Sequence, residues 1–429
     1  MFRSVLRSTS FLAAFTTVFY VSTESFAQDY SMDEVYQSAV EAGKSITNYW
    51  LNSGKNIYSN HYADGCAFYG TCIFGDALGD SSYQKKLVEK YTQNIPYRLP
   101  TGNVDSNAIA ILPLHLYLHS ENEDLLNKGI AVADDAISQG GYKRNAIDDT
   151  YMIGSLMVQA YRATNEMKYI DFCADYLTYY MDALQQDNGL YKHGANNSPQ
   201  LWGRGNGWGA ASAAELLRVI PTDHEKYNDF IDGYKKHMQG LIDAQWDSGN
   251  DNGMWPQVLL YDGNGNWAES SGTSMFLFAL FTGLEMGVLD KETFLEPAMR
   301  GWMAVKGKLG SDGRLGGIAS GFWPSPGGPV SDYLNAHQSA GDAHGTAGFM
   351  WAATAIIRYH NMIVAAKKQL PHISGSAVNA AQSVSQLKVF DLKGRTSTLP
   401  TNGAPMSLST GMYIQQKNNV NVRALTIVP

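Results

Sequence analysis

The feature that most constrains this chain is a run of helix-period segments from residue 31 to about residue 361, with almost no strand-like alternation between them. The first opens at Ser31-Met32-Asp33-Glu34, where the serine hydroxyl can cap a backbone amide while the glutamate reaches back to the serine N–H. Apolar residues then recur at helical spacing through Trp50. Further periodic runs cover 62–76, 82–95, 106–119, 123–138, 149–163, 167–184, 207–220, 223–244, 271–286, 291–305 and 345–361. These are about twelve helices, in pairs that repeat roughly every 50–60 residues. Six helical hairpins can stack in a line as a solenoid or close into a double ring, and closure removes the need for capping repeats. The expected fold is therefore all-α, an (α/α)6 barrel of six hairpins.

The links between helices are unequal. Three are long and rich in Gly, Asn and Trp, at 185–206, 245–269 and 310–343. Long ordered loops in a compact domain are usually functional, and in a closed ring they would gather at one end and wall a cleft. After His360 the composition changes. Residues 367–386 are rich in Ser, Ala, Asn and Gln and read as a linker, and strand patterns follow at 387–391, 412–416 and 422–428. At the other end, Arg3 and Arg7, an apolar run at 11–21 and the small-x-small triplet Ser25-Phe26-Ala27 read as a signal peptide. The expected organisation is a leader at 1–27, a helical catalytic domain at 28–366, a linker at 367–386 and a small β module at 387–429. The protein is expected to be secreted, extracellular or at the cell surface, with the periplasm as the alternative. No later stretch has the eighteen or so apolar residues of a membrane span.

A net charge of −8 and a pI near 5.7 exclude a nucleic-acid partner, because no basic stripe exists to displace counterions from phosphates. An anionic ligand would need local Arg or Lys to overcome the overall field. The chain is 12% aromatic, with 9 Trp and 25 Tyr, yet only 17% charged, a balance that suits clefts that stack sugars as well as a generously packed core. Cys66, Cys72 and Cys173 are read as buried small hydrophobes, since the first two lie too far apart on one helix to pair. No Cys or His cluster is read as having ligand spacing, so neither a metal nor a cofactor is expected.

The sharpest local signal is Trp202-Gly203-Arg204-Gly205-Asn206-Gly207-Trp208. Two indoles and a guanidinium among three glycines, read as lying just before a helix, offer stacking surfaces and an anion clamp where backbone can approach a ligand closely. Packing of a Trp-rich helix start against a loop is the structural alternative. Arg204 has no acid near it in sequence. The second signal is Ile147-Asp148-Asp149-Thr150-Tyr151-Met152, at the start of an apolar helix. One acid there can cap the helix, while a carboxyl beside a like charge and apolar surface would have the raised pKa that a general acid requires. His193, in Gly189-Leu190-Tyr191-Lys192-His193-Gly194, and Asp105, opening the helix that runs to His119, complete the set, the latter also readable as an N-cap.

Together with Glu269-Ser270-Ser271-Gly272-Thr273-Ser274-Met275-Phe276 and His344-Gly345-Thr346-Ala347-Gly348-Phe349, these segments resemble glycoside hydrolase family 105, the unsaturated rhamnogalacturonyl hydrolases, and more distantly the unsaturated glucuronyl hydrolases of family 88. The likeness covers about 62–359. It implies an (α/α)6 barrel, a general acid and base at Asp148, substrate contacts from Asp105, His193, Arg204 and Trp208, and an oligosaccharide ending in a 4,5-unsaturated uronic acid. Trp202 and Asp149 join the candidate substrate-binding residues. The family commonly carries a tryptophan two residues before the catalytic acid, where this chain has Ala146. Another (α/α)6 sugar enzyme, an inverting mannanase-like hydrolase or an epimerase using Asp148 and Asp149, and a non-catalytic sugar-binding protein are the competing readings. In the β module, Lys388-Val389-Phe390-Asp391, Gly394-Arg395, Leu408 and Gly411-Met412-Tyr413-Ile414 resemble C-terminal sorting domains of secreted Bacteroidetes-type enzymes, which implies a secretion-machinery partner; a sugar-binding module is the alternative.

Overall fold

The computed structural model describes residues 30–195, 200–320 and 328–369, with four C-terminal strands at 388–390, 396–398, 411–416 and 425–428. The leader expected at 1–27, and most of the linker expected at 367–386, lie outside the described residues. The helical domain contains α1 (Met32–Asn52), α2 (Tyr62–Leu78), α3 (Ser82–Thr92), α4 (Val104–Asn107), α5 (Ile111–Ser120), α6 (Glu123–Ser138) and α7 (Asp149–Thr164). It continues with α8 (Met167–Leu184), α9 (Gly203–Leu217), α10 (Tyr227–Asp243), α11 (Ser270–Glu285), α12 (Lys291–Lys306), α13 (Val330–Leu334) and α14 (Ala343–Gln369). The predicted capping box at Ser31 and Glu34 is present in both directions.

The hairpins close. In the inner ring α2 packs on α5, α5 on α7, α7 on α9, α9 on α11, α11 on α14, and α14 back on α2. Inner helices are covered on all sides: residues 270–284 of α11 are buried without interruption. Outer helices are amphipathic. In α1 the buried residues Val35, Ala39, Ala42, Ile46 and Trp50 recur at three- and four-residue intervals, the spacing of one helical face. The seam is fastened where α12 meets α1, as Trp302 Nε1 donates to Ser38 Oγ at 2.8 Å, and His360 of α14 stacks on Tyr36 and pairs with Asp33 at 2.9 Å.

Two predicted helices differ in detail. The run at 106–119 divides into α4, a 3-10 turn at Ala108–Ala110, and α5. Pro113 lacks an N–H and its ring crowds the carbonyl four residues earlier, which disfavours continuous α-helix through that turn. The helix predicted from residue 207 begins at Gly203, so Arg204 lies in its first turn rather than in a preceding loop. Glycine is a poor helix former in isolation. Here the lack of a side chain is what the packing needs, because a Cβ on Gly207 would meet Met275 Sδ of α11 at 2.9 Å and Gly272 Cα at 3.4 Å.

The long loops carry short pairings of their own, β1 (Ile318–Ala319) with β2 (Gln338–Ser339) in the third and a Pro256–Ala268 bridge in the second, and a bridge between Trp202 and Val258 joins the first to the second. Beyond the barrel, β3 (Lys388–Phe390), β4 (Thr396–Thr398), β5 (Gly411–Gln416) and β6 (Leu425–Val428) form an antiparallel sheet in the order β4-β3-β5-β6. The strand at Thr396–Thr398 has no counterpart in the sequence reading. Cys66, Cys72 and Cys173 are all buried free thiols, as expected.

Trp302 is fully buried at the seam, so Trp302→Ala should lower the free energy of unfolding by about 3–5 kcal/mol. Urea unfolding would show this as a lower midpoint at unchanged slope; a loss below about 1 kcal/mol would mean that the seam does not hold the ring closed.

Candidate active site

One end of the barrel receives the N-termini of its inner helices. Tyr62 begins α2, Asp105 lies on α4 ahead of α5, Asp149 begins α7, Arg204 lies in the first turn of α9, Ser271 in that of α11, and His344 in that of α14. Parallel helix dipoles therefore direct their positive ends toward one place. The long loops add His193 and Trp202, then Glu269, then Ala319, Tyr333 and Asp342.

Asp148 sits at the N-cap position of α7 but makes no capping hydrogen bond. The residue is 3% exposed, with Oδ2 3.5 Å from His193 Nε2. The Tyr333 hydroxyl lies 2.8 Å from His193 Nδ1; donation from that hydroxyl leaves the Nε2 proton directed at Asp148. Burial alone would raise the Asp148 pKa, yet the His193 hydrogen bond and charge, with Arg144 and Arg204, hold it below its ordinary value.

Asp149 does different work. Its carboxylate accepts from the Arg144 backbone N–H at 2.7 Å, from Arg144 Nε at 2.6 Å and from the Tyr180 hydroxyl at 2.5 Å. Burial pushes its pKa up, against the opposing pull of Arg144 and Tyr180. The expectation of one cap and one raised general acid is thus corrected on two points: neither acid caps α7, and the raised group is Asp149 rather than Asp148. The other face of the Arg144 guanidinium holds Asp105 at 3.1 Å. Asp105 is not the cap of its helix either, because Asn103 accepts from Ser106 N.

Arg204, which has no acid nearby in sequence, finds one in space. Its Nη1 donates to the Ala319 carbonyl at 2.6 Å and approaches Ser271 Oγ at 3.5 Å and Glu269 Oε1 at 3.9 Å. Glu269 is itself fixed by the N–H groups of Gly272 and Ala319 and by the Ser271 hydroxyl. The Arg204 guanidinium lies over the Trp202 ring, 4.8 Å from its centroid, and that indole also packs on His193.

The open stacking faces expected of Trp202 and Trp208 are not there, because both indoles are buried. Trp208 lies beneath Tyr62 and beside Tyr151, His344 and Trp351. The partly exposed aromatic face belongs to Tyr62, whose hydroxyl is 2.8 Å from His344 Nε2, with Asp342 2.7 Å from His344 Nδ1. Burial raises the Tyr62 pKa, and Arg204, Asp148 and Asp105 are among the charges that bear on it, which places the phenol within the cluster.

Of the predicted residues, Asp148, His193, Trp202 and Arg204 form one contiguous group, Asp149 and Asp105 are joined through Arg144, and Trp208 supports Tyr62 from below. Tyr62, Arg144, Tyr333 and Asp342 were missed, and no roles were read for Glu269 and His344 within their motif segments. The missed signal is positional: once alternate helices are assigned to the inner ring, the first turn of each becomes a candidate.

Because the folded-state pKa of Asp148 is depressed, its ionisation stabilises the fold above the ordinary carboxylate range, and this contribution is lost as pH falls through the folded value. The stability of the wild type relative to Asp148→Asn should therefore fall on acidification from about pH 5 toward pH 3. Chemical denaturation across that series would measure it; a constant difference would show that the carboxylate is not stabilised in the fold.

The sequence profile of Glycosyl Hydrolase Family 88 matches residues 35–360. An unsaturated 3S-rhamnoglycuronyl hydrolase from Alteromonas sp. (strain LOR) is 26% identical over 340 residues, covering 66% of this chain and 79% of that protein. The unsaturated rhamnogalacturonyl hydrolase YesR of Bacillus subtilis (strain 168) is 22% identical over 286 residues, covering 60% and 78%. Among solved structures, a family 105 glycoside hydrolase from C. acetobutylicum ATCC 824 superimposes with a TM-score of 0.65 at 19% identity, over 74% of this chain and 99% of that one.

Proposed function

This chain belongs to glycosyl hydrolase family 88 and is a glycoside hydrolase, and from that premise we propose that it removes a 4,5-unsaturated uronic acid from the non-reducing end of lyase-generated oligosaccharides, with Asp148 carrying the protons. The observation that carries the reading is the division of labour between adjacent acids. Asp149 is occupied by Arg144 and Tyr180, whereas Asp148 is directed at His193 in a buried niche. Of the adjacent pair that leaves one working carboxyl, where an inverting hydrolase built on Asp148 and Asp149 would need both.

One carboxyl is enough if the reactive bond is the alkene. In this proposal protonated Asp148 gives its proton to carbon 4 of the enol ether, and positive charge forms at carbon 5, shared with the ring oxygen. Water attacks carbon 5 and returns a proton to the Asp148 carboxylate. The resulting hemiketal opens by cleavage of the bond between carbon 5 and the ring oxygen, leaving a ketone at carbon 5. The former ring oxygen is then a hydroxyl on carbon 1, and collapse of that hemiacetal releases the aglycone with no attack on carbon 1.

The electrostatics favour this order of events. Without substrate, Arg204 and Arg144 help hold Asp148 ionised. A uronate carboxylate placed near Arg204 and the positive ends of the inner helices would offset that field and add a negative charge, both of which raise the Asp148 pKa toward a proton donor. Asp105 and His193 would contact ring hydroxyls or position the water. Sugar stacking, first assigned to Trp208, passes to Tyr62. Both relatives named above carry rhamnose in their names, which favours rhamnose next to the uronate here.

Lyase-digested pectin fragments with rhamnose next to the unsaturated uronate should lose the ultraviolet absorbance of the conjugated uronate when incubated with this protein, glycosaminoglycan fragments, which lack rhamnose, should lose it more slowly, and saturated fragments should be left intact. Asp148→Asn should reduce the rate by at least about 10³-fold with circular dichroism unchanged. Activity on saturated oligosaccharides, or a near-normal rate in that variant, would refute the proposal.

The leader and the β module support a further proposal, that the enzyme works outside the cytoplasm. Protein recovered from a native culture should begin near Gln28 and lie in the medium or envelope fractions; an intact leader in the cytosol would contradict this.

A further inference from the structure

At the opposite end of the barrel the C-termini of inner helices surround a polar cavity of about 480 Å³. Asp76 lies in the last turn of α2, and His115 and His119 lie four residues apart on one face of α5. The sequence reading found no histidine cluster with ligand spacing; this pair is one, completed by an acid that the fold brings from another helix.

We propose that Asp76, His115 and His119 bind a divalent transition-metal ion, with Zn²⁺ the best match to two imidazole nitrogens and one carboxylate oxygen. Three donor atoms, one from each residue, lie within 4.8 Å of one another. His115 Nε2 is 3.0 Å from Asp76 Oδ2, and His119 Nε2 is 3.2 Å from Asp76 Oδ1. These distances approach the ligand-to-ligand edge of about 3.4 Å that tetrahedral zinc requires.

Hydrogen bonds behind the cluster orient it. The Tyr69 hydroxyl gives its proton to Glu215 at 2.7 Å and so must accept from Gln159 Nε2 at 3.0 Å, which turns the Gln159 carbonyl oxygen to His115 Nδ1 at 3.3 Å. His115 therefore carries its proton on Nδ1, and in the neutral ring the lone pair of Nε2 faces the Asp76 carboxylate. Two lone pairs at 3.0 Å repel unless a proton or a metal ion stands between them, so the contact is one that a metal ion can take over from a proton. Gln84 Nε2 donates to Asp76 Oδ1 at 2.5 Å and fixes the carboxylate in the way outer-shell partners fix metal ligands.

The surrounding charge permits a cation. Arg162 is paired with Glu215, and Arg218 and Arg358 are both paired with Glu285. The C-terminal ends of α2 and α5 add negative partial charge. Asp76 and His119 are exposed, so remaining coordination positions are open to water, and the bound ion would tie α2 to α5 without touching the catalytic end.

The test uses the untagged full chain, stripped with a chelator and titrated calorimetrically with ZnCl₂ and, by visible absorption, with CoCl₂. The expected result is one ion per chain, d–d bands of nitrogen-coordinated Co²⁺, and a higher Tm with Zn²⁺. His119→Ala and Asp76→Asn should each weaken Zn²⁺ binding at least about tenfold and abolish the gain in Tm, with circular dichroism and substrate turnover unchanged. Absence of stoichiometric binding, or equal binding by the variants, would overturn the proposal and leave a plain ion-pair cluster.

Discussion

The interaction on which this end of the barrel depends is the stabilisation of one buried carboxylate, Asp148, that stays charged where water is scarce. Burying an ionised carboxylate is expensive unless fixed charges and hydrogen-bond donors replace the lost solvent. Ring closure supplies them: it assembles His193, Arg144, Arg204 and the helix N-termini around a point that no single hairpin could enclose. Chain connectivity produces this arrangement, since alternate helices of a closed ring of hairpins run in the same direction.

The same geometry explains why so many polar groups here are buried in pairs. Arg204 has Glu269 and the Ala319 carbonyl, Asp149 has Arg144 and Tyr180, and His344 has Asp342 and Tyr62. A half-satisfied network in low dielectric would be worse than an apolar core, so each functional side chain brings a second that anchors it. Glycine contributes differently, as Gly207 and Gly272 let α9 and α11 approach closely enough to bring Arg204 beside Ser271 and Glu269. The two ends of the ring are unlike: positive helix ends meet at the acid cluster, and negative ends meet among Arg162, Arg218 and Arg358.

The twelve principal helical segments and ring closure were legible because apolar spacing is a local, repeated signal. Asp148, His193 and Arg204 were legible as residue types unusual for their surroundings, and the family resemblance gave them an order. Contacts between distant parts of the chain were not legible. The Glu269 partner of Arg204 lies 65 positions away, and the Tyr333 partner of His193 lies 140 away on a five-residue helix with no periodicity to announce it. The helix start at Gly203 was hidden for a related reason: glycine propensity points to a loop, and only packing against α11 reverses it. The buried state of Trp202 and Trp208 follows from the same close packing, which sequence spacing does not encode.

The central claim is that the proton goes to an alkene carbon before any glycosidic bond opens. Turnover in D₂O, followed by nuclear magnetic resonance of the products, tests it most directly. The account predicts that each released aglycone is matched by loss of one double bond between carbons 4 and 5 and entry of a single deuterium at carbon 4 on one face of the sugar. Release of aglycone with an intact unsaturated uronate, its carbon 4 still vinylic and unlabelled, would contradict it.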